Sequence, residues 1–262
     1  MILKASTWNR KKKLGLVLSG GGYRGVSHIG VLKAMEELGI KPDYISGTSS
    51  GAIVGSLYAA GNHWQDILDF FIKIELFSFN NFTLRKPGLF DGNKLALQLS
   101  AFFKENNFES LEIPMYIATT DLLEGTTRYF SEGILTAPII ASSSVPGMFT
   151  PIDFNGYLLC DGGVTNNFPI EPIQDLCDKI IGVYLNPLPE MTRKDLRTTK
   201  SVINRSYSIS GLAVCESKFK DCDVLISPKE IGNCEAFTKT HIDLLFKLGY
   251  EDALEKLSHL EF

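Results

Sequence analysis

Residues 14–61 read LGLVLSGGGYRGVSHIGVLKAMEELGIKPDYISGTSSGAIVGSLYAAG. The run Leu14-Gly15-Leu16-Val17-Leu18-Ser19 is apolar and ends in glycines, the pattern of a strand buried on both faces of a parallel sheet. After it Val26, Ile29, Leu32, Met35 and Leu38 recur every three residues, and Gly39 stands where a helix stops. Residues 44–46 predict a second strand, residues 47–51 a turn, and the small apolar residues beyond it a helix through Ala60, closed by Gly61. Strand, helix, strand, helix is the opening of an α/β layered fold.

Further elements extend the pattern. Ile67, Leu68, Phe70, Phe71, Ile72, Ile74, Leu76 and Phe77 nearly surround a helix predicted over 64–79, so it is either fully buried or covered by a ligand. Residues 91–103 predict another helix, and 115–119 and 126–130 predict strands. Asn155-Gly156 joins 150–154 to 157–160 as a two-residue hairpin. Residues 180–185 and 224–227 are short strands and 242–260 a terminal helix. With no internal repeat, low-complexity segment or linker, residues 1–262 are expected to form one domain around a mostly parallel, mixed sheet, with a motif-bearing core over about 14–185.

Composition narrows the function. Of 262 residues 44% are hydrophobic and 21% charged, with 26 Lys+Arg against 30 Asp+Glu and a net charge of −4. Collagen-like, disordered and disulfide-scaffold classes are excluded. A pI near 5.6 and one basic run, residues 10–13, give no footprint for nucleic acid. The 5 cysteines are odd in number and lack metal-ligand spacing, so no metal is expected and a reducing compartment is the simpler home. Residues 1–9 hold no apolar signal-peptide core, which implies a cytoplasmic address. Residues 44–65 and 133–152 are uncharged but broken by polar residues or prolines, so neither is a transmembrane segment.

Chemistry concentrates at two loops. Gly47-Thr48-Ser49-Ser50-Gly51 fits G-x-S-x-G, a sharp strand-to-helix turn that exposes a serine hydroxyl. Gly47 and Gly51 leave room for the strained backbone, and the helix N-terminus behind Ser49 favours a developing negative charge. Ser19-Gly20-Gly21-Gly22-Tyr23-Arg24-Gly25 is a glycine turn after the first strand. Gly20, Gly22 and Gly25 also satisfy the dinucleotide fingerprint G-x-G-x-x-G, with Asp43 as its acid. Asp43, however, stands before the second strand, where a ribose-binding acid should stand after it. As an alternative the N–H groups of this turn would face an oxyanion in a shared site. Arg24 either reinforces the loop, meets an anionic head group, or is a surface cation.

The serine needs a base. The histidines are His28, His63, His241 and His259; His241 and His259 fall in a C-terminal helical segment and fit surface positions, while His28, one turn into the first helix, stays a candidate. Too little chain precedes the elbow for an α/β-hydrolase sheet, so the Ser49, Asp161, His241 order is insufficient by itself. Asp161 ends the apolar run Leu158-Leu159-Cys160 and precedes Gly162 and Gly163. Burial would raise its pKa and make it a better base, or Asp161 simply starts a turn.

Together these residues resemble the patatin-like phospholipase family. Gly20–Gly25 is similar to its oxyanion motif, Gly47–Gly51 to its elbow, and Asp161-Gly162-Gly163 to its D-G-G/A motif, with further likeness at residues 118–122, 141–146 and 167–169. The likeness spans about residues 14–185, and no motif departs from the pattern. It implies a three-layer α/β/α fold and metal-free, cofactor-free hydrolysis of fatty-acyl esters of phospholipids or lysophospholipids. Ser49 would be the nucleophile and Asp161 the base. Gly20, Gly21 and Gly22 would form the oxyanion hole, with the amides of Gly21 and Gly22 as main donors, and Arg24, Gly25, Gly47, Gly51 and Gly162 would support the loops. The implied partner is a lipid ester at a membrane surface. Two other classes stay open: a family member that binds lipid or protein without turnover, and a dinucleotide-binding oxidoreductase. The aromatic density of residues 64–90 (Phe70, Phe71, Phe77, Phe79, Phe82, Phe90) suggests an acyl pocket or membrane-facing rim, or ordinary core.

Overall fold

The computed structural model describes residues 12–74 and 93–259. Among the described residues, eight strands form one sheet: β1 (Leu14–Leu18), β2 (Tyr44–Thr48), β3 (Met115–Asp121), β4 (Thr126–Phe130), β5 (Ile152–Phe154), β6 (Tyr157–Asp161), β7 (Lys179–Val183) and β8 (Val224–Ile226). The order is β5-β6-β3-β2-β1-β7-β8, with β4 also paired to β3. Strands β3, β2, β1, β7 and β8 run parallel, while β4, β5 and β6 pair antiparallel. The expected mixed sheet is therefore parallel where the glycine turn and the elbow leave it, and antiparallel on the side where β6 ends in Asp161.

Alternation along the strands explains the layers. Leu14, Leu16 and Leu18 of β1, Ile45 of β2, Met115 and Ile117 of β3, and Ile181 and Val183 of β7 share one hydrophobic cluster. Further members come from β8 and its neighbouring loops and from α1 (Val26–Glu37), α2 (Ser50–Ala59), α3 (Trp64–Lys73), α4 (Asn93–Ser100), α5 (Thr136–Ser142) and α8 (Ile242–Leu257). The intervening residues Val17, Tyr44, Tyr116 and Ile180 face a second cluster with Phe168, Ile173 of α6 (Glu171–Gln174) and Cys215 of α7 (Thr199–Cys215). Strand side chains alternate between faces, so helices can cover both sides of one sheet. A three-layer α/β/α architecture results.

Several expectations shift. The helix expected over 64–79 ends at Lys73, and Phe77, Phe79, Phe82 and Phe90 lie outside the described residues. Phe70 and Phe71 are core, which removes them from any exposed rim. The proline-broken stretch 133–152 contains α5; Pro138 sits in its first turn, where a missing N–H costs no helical hydrogen bond. The hairpin is as expected, with Asn155 and Gly156 both at positive φ (52° and 82°). No described helix is long and apolar enough to cross a membrane.

Candidate active site

The sheet register sets the site. Thr48 at the end of β2 pairs with Ala118, and the next β3 residue, Thr119, pairs with Asp161. Ser49 and Asp161 therefore emerge at one level on either side of β3. The glycine turn leaves the carboxyl end of β1, alongside the end of β2, where parallel sheets place their ligand sites.

Ser49 has φ 53° and ψ −122°, a strained conformation that costs on the order of 1–3 kcal/mol and persists only if neighbours over-determine it. They do. The Ser49 N–H donates to Ser142 Oγ at 2.8 Å, and that hydroxyl donates to the Ala118 carbonyl at 2.6 Å. A Cβ on Gly47 would stand 2.6 Å from the Gly51 carbonyl, and one on Gly51 would strike that of Leu18. Helix α2 starts directly behind Ser49, and its first-turn N–H groups present the positive end of the helix dipole to the hydroxyl.

Asp161 is 6% exposed. Burial pushes its carboxyl up to about 6, and hydrogen bonds from the Ser49 hydroxyl and the Gly163 N–H hold it from rising further. The Gly163 N–H to Oδ1 distance is 2.7 Å. Thr120 Oγ1 donates to the Asp161 carbonyl, and the Asp161 N–H donates to that of Ser144, so both sides of the residue are tied. At neutral pH the carboxylate is mostly ionised yet more basic than an exposed aspartate, as a general base requires. Gly162 packs so closely on the Ala118 carbonyl that a Cβ would strike it.

The glycine turn divides its labour. Gly20 is a strut and no oxyanion donor: its N–H donates to Asn167 Oδ1 at 3.1 Å, while its carbonyl accepts from Asn186 Nδ2 at 2.6 Å. Of the three glycines expected to line the hole, Gly20 therefore has its amide already partnered within the chain. The N–H groups of Gly21 and Gly22 make no hydrogen bond to a described residue and remain available. Gly22 takes φ 59°, and Tyr23 N–H is fixed to the Ala236 carbonyl at 2.7 Å. Gly25 packs against Ser50, whose Cβ would lie 2.7 Å from an added methyl, locking this turn to the elbow.

Arg24 reinforces the loop and meets no head group, because its donors are occupied. Nε and Nη2 reach the Cys234 carbonyl at 2.9 and 2.6 Å, and Nη1 reaches Leu185 O and Asn186 Oδ1, each at 3.3 Å. His28 is eliminated as a base. It is fully buried, its Nε2 lies 2.7 Å from the Ser19 carbonyl, and burial lowers its pKa to about 4, so it sits neutral as a donor. His63, His241 and His259 are exposed. Asp43 accepts from Leu14 N–H and Lys13 Nζ at the start of β1, the opposite end of the sheet from the glycine turn, which leaves the dinucleotide fingerprint without its acid.

Sequence reasoning missed the residues that hold these loops. Ser142 and Asn167 stand in segments it singled out for their likeness, but nothing local says that one accepts from Ser49 and the other from Gly20. Asn186 and the carbonyl of Cys234 carried no signal at all.

Fold and site together define a three-layer α/β protein with a serine at a strained strand-to-helix turn, level across one strand with a buried aspartate. The sequence pattern of the patatin-like phospholipases matches residues 16–173, and the chain belongs to that family. An uncharacterized NTE family protein of Mycobacterium bovis is 34% identical over 180 residues, which covers 66% of this chain and 49% of that protein. The lysophospholipase NTE1 of Candida glabrata is 32% identical over 189 residues, 68% of this chain and 11% of that protein. The chain thus spans half or less of the length of the curated relatives it matches. VipD from Legionella pneumophila has a similar fold, with a TM-score of 0.59 at 14% identity over 95% of this chain and 67% of that one.

Proposed function

We propose that the protein is a serine acyl hydrolase that cleaves fatty-acyl esters of phospholipids or lysophospholipids, with Ser49 as nucleophile and Asp161 as general base. The observation that carries this reading is Ser49 at a strained turn (φ 53°), level across β3 with a buried carboxylate whose pKa burial lifts to about 6. Family membership and a relative named lysophospholipase support the substrate class. Residues 1–262 are read as one domain, since both hydrophobic clusters line a single sheet.

In the proposed sequence Asp161 takes the Oγ proton as Ser49 attacks the ester carbonyl carbon. The tetrahedral oxyanion receives hydrogen bonds from the N–H groups of Gly21 and Gly22. Collapse breaks the ester C–O bond, and Asp161 returns the proton to the departing alcohol, leaving an acyl group on Ser49. Water then attacks, giving its proton to Asp161, and the fatty acid leaves as Ser49 regains its hydrogen. Each group in the cycle is neutral or singly charged, and none calls for a metal.

Exposure to a fluorophosphonate followed by peptide mapping tests the reading. One adduct on Ser49, strongly reduced in Asp161→Asn, is the expected result. A folded protein that takes no label with or without liposomes would overturn it.

A further inference from the structure

Helix α7 is patterned inside out. Its half-buried stripe runs Ser201, Arg205, Ser208, Leu212, Cys215, at steps of four and three residues, and among its described side chains only Cys215 is fully buried. The other faces present Val202, Ile203, Tyr207, Ile209 and Val214 to solvent, with Ile203 60% and Tyr207 57% exposed. A helix resting on a globular core and facing water does the reverse. Upstream, every residue from 191 to 199 is exposed, Met191 and Leu196 included.

Charge completes the pattern. Between residues 191 and 214 the sequence holds Arg193, Lys194, Arg197, Lys200 and Arg205 against the single acid Asp195, in a chain whose net charge is −4. Asp195 is already engaged, accepting from the N–H and Oγ1 of Thr192 at 2.7 Å. Arg205 donates to the Pro189 carbonyl at 2.9 Å, whereas Arg193, Lys194 and Arg197 form no ion pair with a described residue. Exposed β-branched residues on a helix that directly follows an exposed cationic stretch suit the boundary of an anionic bilayer, where apolar side chains enter and cations meet the headgroups. A second copy fits poorly, because a two-fold interface would set this cationic segment against itself.

The segment also borders the proposed site. Tyr207, Gly211 and Val214 form one wall of a cleft whose other wall includes Gly163 and Asn167, next to Asp161.

We propose that residues 191–214 dock on an anionic lipid surface. Val202, Ile203 and Ile209 enter the headgroup–acyl boundary, and Arg193, Lys194 and Arg197 meet the lipid phosphates. The cleft between α7 and the Gly163–Asn167 loop then opens toward the bilayer. Its use in turnover rests on the reading of Ser49 and Asp161 given above; the docking does not.

The test is flotation of the full chain with phosphatidylcholine vesicles, with and without phosphatidylglycerol, alongside hydrolysis of a monomeric short-chain ester. Binding is expected to require phosphatidylglycerol and to weaken with salt. The combined variant R193Q/K194Q/R197Q should lose roughly a hundredfold in vesicle partitioning, and V202S/I203S/I209S should lose at least as much. Both should label with fluorophosphonate and cleave the soluble ester at the wild-type rate, which shows that they fold. Equal binding to both vesicle types, unchanged binding by either variant, or a dimer that V202S/I203S/I209S dissolves without affecting vesicles would overturn the docking. Anionic-vesicle binding that depends on these residues, in a protein that neither labels nor hydrolyses any ester, would keep the docking and sink the hydrolase reading.

Discussion

The elbow at Ser49 and helix α7 use apolar residues in opposite ways. Around Ser49, apolar helices α1 and α2 surround a small polar centre in which the Ser49 N–H, the Ser142 hydroxyl and the Asp161 carboxylate each have a defined partner. On α7 a mostly polar stripe faces the protein and β-branched residues face out. Burial in the first region holds a strained backbone and lifts a carboxyl pKa. In the second, apolar surface is left uncovered at a cost in water that a lipid contact would recover.

The sharpest way to break this comparison is Ser49→Ala. It should lower lipid hydrolysis by roughly 10⁴-fold or more and abolish fluorophosphonate labelling, while vesicle flotation stays at the wild-type level; a loss of flotation would mean that the two regions are not separable.

Asp161→Asn should cost about 10²–10⁴-fold in kcat. The wild-type kcat/KM should rise with pH through a midpoint near 6, as the carboxyl ionises, and the variant should lack that limb. Stability should move the other way. An aspartate pKa raised on folding from 3.8 to about 6 stabilises the fold fully below pH 3.8, and that contribution is lost as pH rises through about 6. At pH 7 the ionised carboxyl therefore costs up to about 3 kcal/mol, and Asp161→Asn should melt higher, less the value of its lost hydrogen bonds. Melting curves at pH 7 and pH 5 measure the difference, which should shrink at the lower pH.

Paired substitutions compare burial directly. Ile45→Ser in the core should cost about 3–5 kcal/mol in urea denaturation, whereas Ile203→Ser on α7 should fall within about 0.5 kcal/mol. Between these lies Ser142→Ala, which leaves the Ser49 N–H and the Ala118 carbonyl buried without their partner and should cost about 1–3 kcal/mol. Equal losses at Ile45 and Ile203 would show α7 packed against something in solution.

Legibility followed the range of the forces involved. Elements with local signals were read within a residue or two: β1, α1 ending at Glu37 with Leu38 as its C-cap before Gly39, the elbow, and the Asn155-Gly156 hairpin. Helix α7 escaped because it lacks a 3.6-residue apolar period on its packed face and is rich in serine. Its one local mark is a capping box between Thr198 and Ser201, with serine where glutamate is usual. Helix α5 was hidden by Pro138 and three serines. In the site, residue types and spacing pointed to Ser49 and Asp161, but the glycine turn alone could not say which amide is free.

By itself the sequence determined what depends on short-range backbone chemistry. It set where the chain turns sharply, where a side chain must be absent, and which strands are buried on both faces, because φ/ψ sterics and the 2- and 3.6-residue periods act over a few residues. Only the tertiary structure decided what depends on distant parts of the chain meeting. The register through β3 brings the Asp161 carboxyl to the Ser49 hydroxyl, Asn167 occupies the Gly20 amide, and carbonyls of the loop after β8 saturate Arg24. Burial sets both a pKa and the availability of an N–H group, and burial is a property of the assembled layers.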